Sequence, residues 1–590
     1  MDSIKTNVTT VTIDGDLGKF KSSLSTFTVM ENLEFITLKL KSDEPSVPST
    51  IAIKWEFPTS DIHAQWNPVY GFNRGLMADW VGSWKSKSTS GAPVNCLYNF
   101  SAENRLTFAL SDAMNVLEIK CGTNEEAAVF KCIVKLFTEP MPPITEYEII
   151  LRLDTRKVPY YKSLKDVSDW WAGLDGFAPV SVPDTARIPM YSTWYSFHQL
   201  LETDEMLLQC RIAKELGCET IIVDDGWQTD DNNRGYGYCG DWEVAVKKIS
   251  DMRKFVNDVH NIGMKIMLWY SVPFIGKFSK AWDKFIGKFL DSGKWDWGII
   301  DPRFPEVREY LIDIYENAVK EWDLDGLKLD FVDSFYFSEC SKDSLGNGRD
   351  YNSLPEAVDR LLKDALIRLK AIKPDFMIEF RQSYIGPLMR TYGNMFRASD
   401  CPNDSLGNRL RTLDIRLLCG NTAAHSDMLM WNFNESVESA AMQFINILFS
   451  VPQISVLLNK LPESHFKMVK YWLGFWNENK EVLLDGELMP FHPEANYSTV
   501  FAANSNKLIA VAYTSSVIKL PNTPFAEIIL VNGLFERQLL LQLEKALTNI
   551  SYIVYDCCGE LVKTVKANLL KGINIIDVPS AGTVIIKTNT

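Results

Sequence analysis

TDEMLLQCRIAKELGCETIIVDDGW occupies residues 203–227, and SDMRKFVNDVHNIGMKIMLWYS occupies residues 250–271. Each begins as a helix-length amphipathic segment, reaches a glycine (Gly217, Gly263) able to end that helix, and continues into a short apolar run. Thr203 and Asp251 stand where an N-cap is needed. Both stretches therefore read as helix, turn, strand. The same alternation runs outward from about 188 to 480. IPMYSTW, WGIIDPR, DGLKLDF, DFMIEFRQ and MFRASD are further short runs, separated by segments such as PEVREYLIDIYENAVKEW and SLPEAVDRLLKDALIRLKAI. The simplest fold for such a pattern is a (β/α)8 TIM barrel over 185–480. WGIIDPR supplies its fourth strand in this reading, DGLKLDF its fifth, DFMIEFRQ its sixth and MFRASD its seventh; strand eight ends in GNTAAHSDMLMW. A doubly wound sheet is the rival, but no GxGxxG follows a strand.

The flanks read differently. Residues 1–180 carry short alternating runs (VTTVTIDG, FITLKLKSD, STIAIKWEF, RLTFALSD, AAVFKCIVKLF, YEIILRLD) broken by Gly, Pro, Asn and Asp, the pattern of an N-terminal β-sandwich. Residues 160–188 read as irregular. Residues 485–590 return to strands and read as a C-terminal antiparallel β-domain, a second sandwich.

Composition narrows the function. The 590 residues are 46% hydrophobic and 23% charged, with a net charge of −14 and a pI near 5.1. That balance disfavours nucleic acids, anionic membranes and polyanionic substrates as partners. The most apolar stretch, FINILFSVPQISVLL at 444–458, is interrupted by Asn446, Ser450, Pro452 and Gln453, short of the ~18 residues of a membrane span. The start, MDSIKTNVTTVTIDGD, lacks the basic and apolar regions of a secretory leader. Eleven scattered cysteines fit reduced thiols and a cytoplasmic setting, with secretion open if a leader had been trimmed. Six histidines form no metal-binding pattern, so neither a metal nor a cofactor is expected. The 17 tryptophans make carbohydrate worth testing, because flat rings stack on sugar faces.

In a barrel, chemistry collects where strands end. Those ends carry Trp194, Asp224-Asp225-Gly226-Trp227, Trp269, Lys328 with Asp330, Glu379 with Arg381, and Asp400. Any one acid could simply cap a helix. Asp224, Asp225, Asp330 and Asp400 together are harder to explain that way, since an unpaired buried charge is costly. Two carboxylates flanking a pocket with aromatic walls are the equipment for glycoside hydrolysis, one as nucleophile and one as an acid whose pKa should be raised.

VDDGWQ (223–228), GDW (240–242), GMKIMLW (263–269), DGLKLDF (325–331) and RASD (397–400) together resemble glycoside hydrolase family 36, the retaining α-galactosidases of clan D, over about 190–410. The resemblance implies a sandwich–barrel–sandwich plan and a double displacement. It makes Asp330 the nucleophile and Asp400, in Ser399-Asp400, the acid/base. Asp224 and Asp225 hold O4 and O6 of the sugar, Lys328 binds ring hydroxyls, and Trp269 and Trp194 line the pocket. The STWYSF context of Trp194 departs from the family's Asn-Trp-Glu. A larger departure follows Glu379: Phe380-Arg381-Gln382-Ser383-Tyr384-Ile385-Gly386 replaces a small, glycine-rich stretch around O2. Arg381 and Gln382 should therefore alter what is tolerated at C2. Asp404 retains a second acid after the acid/base and joins the candidate binding residues.

The implied substrate is a small oligosaccharide or glycoside, with self-association left open. A raffinose-synthase-type transglycosylase, a glycosidase for an α-N-acetylgalactosaminide or α-glucoside, and a silent sugar-binding barrel are the alternatives. His425 and Asp427 read as a polar rim ordering Trp431, Asp333 as a helix cap, Asp241 and Trp242 as loop or subsite wall, and Cys239 and Cys401 as packing groups.

Overall fold

A computed structural model of the chain describes residues 2–337, 346–381 and 385–588. Among these, two six-stranded antiparallel sheets form the N-terminal sandwich, ending with the strand Ile144–Asp154. Their facing sides alternate with polar outer positions, as half-buried strands do. Trp55 of one sheet meets Phe108 of the other edge-to-face, 4.9 Å between centroids. The stretch read as irregular instead contains a helix, Tyr160–Ala172. Its buried Tyr160, Leu164, Val167 and Trp171 recur at helical spacing, a stripe hidden among Ser, Asp and Lys. Trp171 Nε1 donates to Leu110 O of the sandwich, and Ser168 Oγ to Leu418 O of the barrel, so this helix joins the two.

The central sheet is an eight-stranded parallel barrel. In chain order its strands are Met190–Ser192, Thr220–Val223, Lys265–Ser271, Gly326–Asp330, Met377–Arg381, Met395–Arg397, Ala423–His425 and Gln453–Ile454. The last strand pairs with the first, and a parallel bridge between His425 and Val451 completes the ring. Asp251 caps the helix Met252–Ile262 by accepting from Lys254 N, and Gly263 ends it at φ 87°. Thr203 lies inside its helix and gives its hydroxyl to Lys248 O instead.

WGIIDPR is not the fourth barrel strand. Strand three pairs directly with Gly326–Asp330, while Trp297–Ile300 sits in a small antiparallel sheet with Phe274–Gly276 and Phe289–Asp291. A parallel pair needs a crossover of a dozen or more residues, usually a helix. Between Ser271 and Trp297 the one helix is Lys280–Lys284, so that segment folds back on itself. The missing strand is Gln453–Ile454, inside the apolar stretch 444–458. Every later strand end therefore moves down one place: Asp330 ends strand four, Arg381 strand five, Asp400 follows strand six, and His425 ends strand seven.

The C-terminal region begins with Glu487–Phe491, after the long helix Glu463–Asp485, and builds a seven-stranded and a three-stranded sheet. It is mainly antiparallel, but Lys507–Ala512 and Glu527–Asn532 pair in parallel, as do Val517–Lys519 and part of Gln538–Leu543.

One buried carboxylate touches all three regions. Asp414, on the barrel helix Ser405–Leu418, receives Arg74 Nη2 at 2.7 and 2.6 Å, Trp66 Nε1 at 3.0 Å and Tyr497 Oη at 2.5 Å. Removing one member of a buried pair strands the other charge. Asp414→Ala should thus cost about 3–5 kcal/mol, lowering the first thermal transition. The double change Arg74→Met/Asp414→Leu should restore much of that loss; additive losses would argue against a coupled pair.

Candidate active site

Side chains alternate along a strand, so residues two apart share a face. Inside this barrel the rule builds layers. Met190, Met267, Met377 and Met395 meet with Ile222 and Ala423 in a buried floor. Two residues further along the strands stand Asp224, Trp269, Lys328, Glu379, Arg397 and His425, and beyond those Asp330 and Arg381. The floor is apolar and soft; the layers above it are ionic.

Those upper layers enclose a cavity of about 150 Å³ lined by Trp194, Asp224, Asp225, Tyr236, Trp269, Lys328, Asp330, Phe331, Arg381, Arg397 and Asp400. It brings together eight of the nine binding and catalytic candidates. A larger cavity of about 620 Å³ lies beside the N-terminal end of strand seven, lined by Tyr161, Arg416, Asp485 and Glu487 among others. It holds none of the strand-end carboxylates, so chemistry rather than volume locates the site.

Asp330 accepts from Trp269 Nε1 at 3.1 Å and Phe331 N at 2.8 Å, and lies 2.9 Å from Arg381 Nε. Phe331 follows at φ 63°, a left-handed conformation that a bulky side chain rarely adopts, and it turns the chain sharply at the cavity edge. Burial acts to raise the Asp330 pKa, but the Arg381 and Lys328 charges outweigh it and hold the carboxyl below its ordinary value. Asp400 has 42% of its side chain exposed; Arg397 Nη2 lies 2.9 Å away and Arg381 Nη1 4.0 Å away. Burial again acts upward, and Arg397, Lys328 and Arg381 together bring its pKa well below the carboxylate range. The raised pKa expected of an acid catalyst is not present here: the cations see to that. Arg381, on strand five, reaches both acids from between them, with its guanidinium 4.9 Å from the Phe331 ring.

Asp224 and Asp225 follow the end of strand two, where the strand pairing has stopped, and both line the cavity. Asp224 meets Lys328 Nζ at 2.5 Å. Asp225 accepts from Gln199 Nε2 at 2.8 Å and Gln228 Nε2 at 2.7 Å. Burial, helped by the Asp224 charge, pushes Asp225 up to about 6.

The remaining candidates take supporting places. Asp404 is exposed and caps the helix Ser405–Leu418 by accepting from Gly407 N, away from the cavity lining. Glu379 is buried below the cavity, bonded to Gln453 Nε2 at 2.5 Å with its other oxygen 3.5 Å from Arg397 Nε; burial raises its pKa. Asp427 receives Arg397, Tyr195 Oη and Cys401 N, and so holds Arg397 in position. His425 bonds Ala186 O, with burial lowering it to about 4, so it is neutral at pH 7. Neither orders Trp431, whose Nε1 bonds His465 instead. Asp241 caps the short helix at Lys280, and Trp242 backs the Trp269 ring at 5.8 Å. Asp333 O accepts from Lys87, outside the cavity lining. Cys239 and Cys401 are buried, and burial drives both thiols above their ordinary value, as packing groups require. Gln382 lies outside the described residues.

Sequence reasoning missed Arg397, Tyr236 and Phe331 as cavity residues. Arg397 had a signal, being two residues past Met395 on an inward-facing strand. Tyr236 comes from a loop and had none.

A family model described as Melibiase matches residues 184–335, from the approach to strand one to just past the end of strand four. Alpha-galactosidase 1 of Pediococcus pentosaceus is 29% identical over 127 residues, which is 20% of this chain and 17% of that protein. The matched stretch thus spans less than a fifth of that relative. The alpha-galactosidase of Lactobacillus brevis shares the fold over 99% of this chain and 86% of its own, with a TM-score of 0.63 at 15% identity. A variant of the GH36 alpha-galactosidase AgaA of Geobacillus stearothermophilus, in complex with raffinose, does so over 98% and 83%, with a TM-score of 0.65 at 13% identity.

Asp225 provides a check on the electrostatics. Its folded pKa stands above its unfolded one, so the folded state binds more protons between about pH 4 and 6. Ionising it costs stability as pH rises through that window. Asp225→Asn abolishes the cost, so its melting temperature relative to the parent should climb from pH 4 to pH 7, by the equivalent of at most about 3 kcal/mol. A difference that stays flat with pH would show that Asp225 does not titrate there.

Proposed function

From this likeness to the family 36 α-galactosidases, we propose that the chain is a retaining α-glycoside hydrolase acting on α-galactosides, with Asp330 as nucleophile and Asp400 as acid/base. One observation carries the reading: Asp330 and Asp400 line a single small cavity together with Asp224, Asp225, Lys328 and the rings of Trp194, Tyr236 and Trp269.

The roles follow from the electrostatics. A nucleophile must be ionised, and Arg381, Lys328 and the Trp269 N–H favour that form of Asp330. Asp400 must first donate a proton to the leaving oxygen and later take one from water. Its depressed pKa suits the second step. A sugar entering the cavity excludes water from around Asp400, and that loss of solvation favours the protonated form that the first step needs. Asp224 and Asp225 supply acceptors for hydroxyls on the far side of the ring. Such a clamp separates axial from equatorial O4, because a misplaced hydroxyl leaves a buried carboxylate unpaired. Raffinose is bound by the AgaA variant, and galactose-terminated oligosaccharides of that kind are the substrates we assign here.

Nitrophenyl α-galactoside should be cleaved faster than the α-glucoside, with the α-anomer appearing first by proton NMR. A faster glucosidase rate, or the β-anomer first, would overturn the assignment. Asp330→Ala should abolish turnover on every substrate. Asp400→Ala should cost about 10²–10⁴-fold on raffinose and much less on a nitrophenyl glycoside, whose leaving group needs little protonation. Equal losses on both would move the acid role elsewhere.

Arg381→Ala removes a cation from beside Asp330. The Asp330 pKa then rises, so the acid limb of the kcat/KM profile should move to higher pH. A limb that stays in place would mean that Arg381 does not govern the nucleophile's charge.

A further inference from the structure

A file of aromatic rings leads out of the cavity. Tyr236 lines it, lying roughly parallel to Trp269 at 6.2 Å and 26°, and meeting Trp297 edge-on at 5.2 Å and 89°. Trp297 in turn lies flat beside Trp295, 5.3 Å between centroids and 11° between planes. Trp295 is 54% exposed. Phe274 packs the file from behind, 5.6 Å from Trp297 and 4.7 Å from Phe331 at the cavity edge. The exposed indole is thus two ring-to-ring steps from the cavity wall.

Trp295 lies in the loop between two strands, and the ring that backs it is anchored in a sheet. Trp297 begins the middle strand of the small antiparallel sheet, between Phe274–Gly276 and Phe289–Asp291. The adjoining Gly298 lets Phe289 approach so closely that a Cβ there would stand 2.8 Å from the Phe289 ring. Lys294 Nζ lies 5.1 Å from the Trp295 ring, a polar group at the same place. A large ring stacked on a second one has less conformational freedom to lose on binding, which is what a binding platform needs. An isolated exposed tryptophan would carry no argument; one stacked in a file that starts at the cavity does.

We infer that Trp295, backed by Trp297, is the platform for the part of the substrate beyond the scissile bond: a neutral sugar ring that presents its C–H face to the indole, one or two units from the galactose. This rests on the reading of the cavity as an α-galactoside site. The sheet that displaced the expected fourth strand would then provide the leaving-group side of specificity, while the barrel provides the galactose side.

The test compares stachyose, which has rings beyond the scissile bond, with α-galactosyl fluoride, which has none. In Trp295→Ala the ratio of kcat/KM for stachyose to that for the fluoride should fall about tenfold, chiefly through KM. Trp295→Phe should recover part of it. A ratio equal to the parent's, or equal losses on both substrates, overturns the platform while leaving the cavity assignment standing. Failure of the unaltered protein to cleave the fluoride overturns the cavity assignment, and the platform with it.

Discussion

The guanidinium of Arg397 is the interaction on which the site depends. It is buried beside strand six and faces three carboxylates: Asp400 at 2.9 Å, Asp427, and Glu379 at 3.5 Å. An interior with that many acids is tolerable only where each charge has an opposite within reach. Lys328 does the same for Asp224, and Arg381 for Asp330. The cavity is thus a lattice of alternating charge. Its two opposite tendencies reflect what offsets burial: Arg and Lys charges outweigh it at Asp330 and Asp400, while at Asp225 burial prevails, reinforced by the Asp224 charge.

Much of this was legible in the sequence. The barrel follows from helix and strand periods, six of its eight strands from short apolar runs, and a seventh from the strand end placed in GNTAAHSDMLMW. The exceptions are informative. WGII has the composition of a barrel strand, and an apolar run of four cannot declare which sheet it joins; only the lack of a crossover helix before it tells. Gln453–Ile454 was concealed within a longer apolar stretch, where Ser450, Pro452 and Gln453 read as interruptions rather than as the edge of a two-residue strand. The helix Tyr160–Ala172 was concealed in the opposite way, by the many polar residues around its stripe.

For the site, residue type and strand position together located Asp224, Asp225, Trp269, Lys328, Asp330, Arg381 and Asp400. They did not give protonation. Apolar surroundings were expected to raise the acid's pKa, and three cations nearby reverse that; such distances are tertiary and leave no trace in local pattern. Asp404 shows the reverse error: an acid beside the right motif that serves its own helix. Inward alternation would have flagged Arg397 through Met395, since the two share a face.

Gly326 connects the floor to the chemistry. A side chain at this position would meet Met377 O at 2.7 Å and Met267 Cγ at 2.8 Å. The strand could yield only by shifting, and Lys328 and Asp330 ride on that strand two and four residues later. The methionine floor and Asp330 are therefore a single inheritance. Drift at the base of the barrel is read out as misaim at its rim, and a lineage that enlarged residue 326 would have to rebuild the plug beneath before it could keep the carboxylate above.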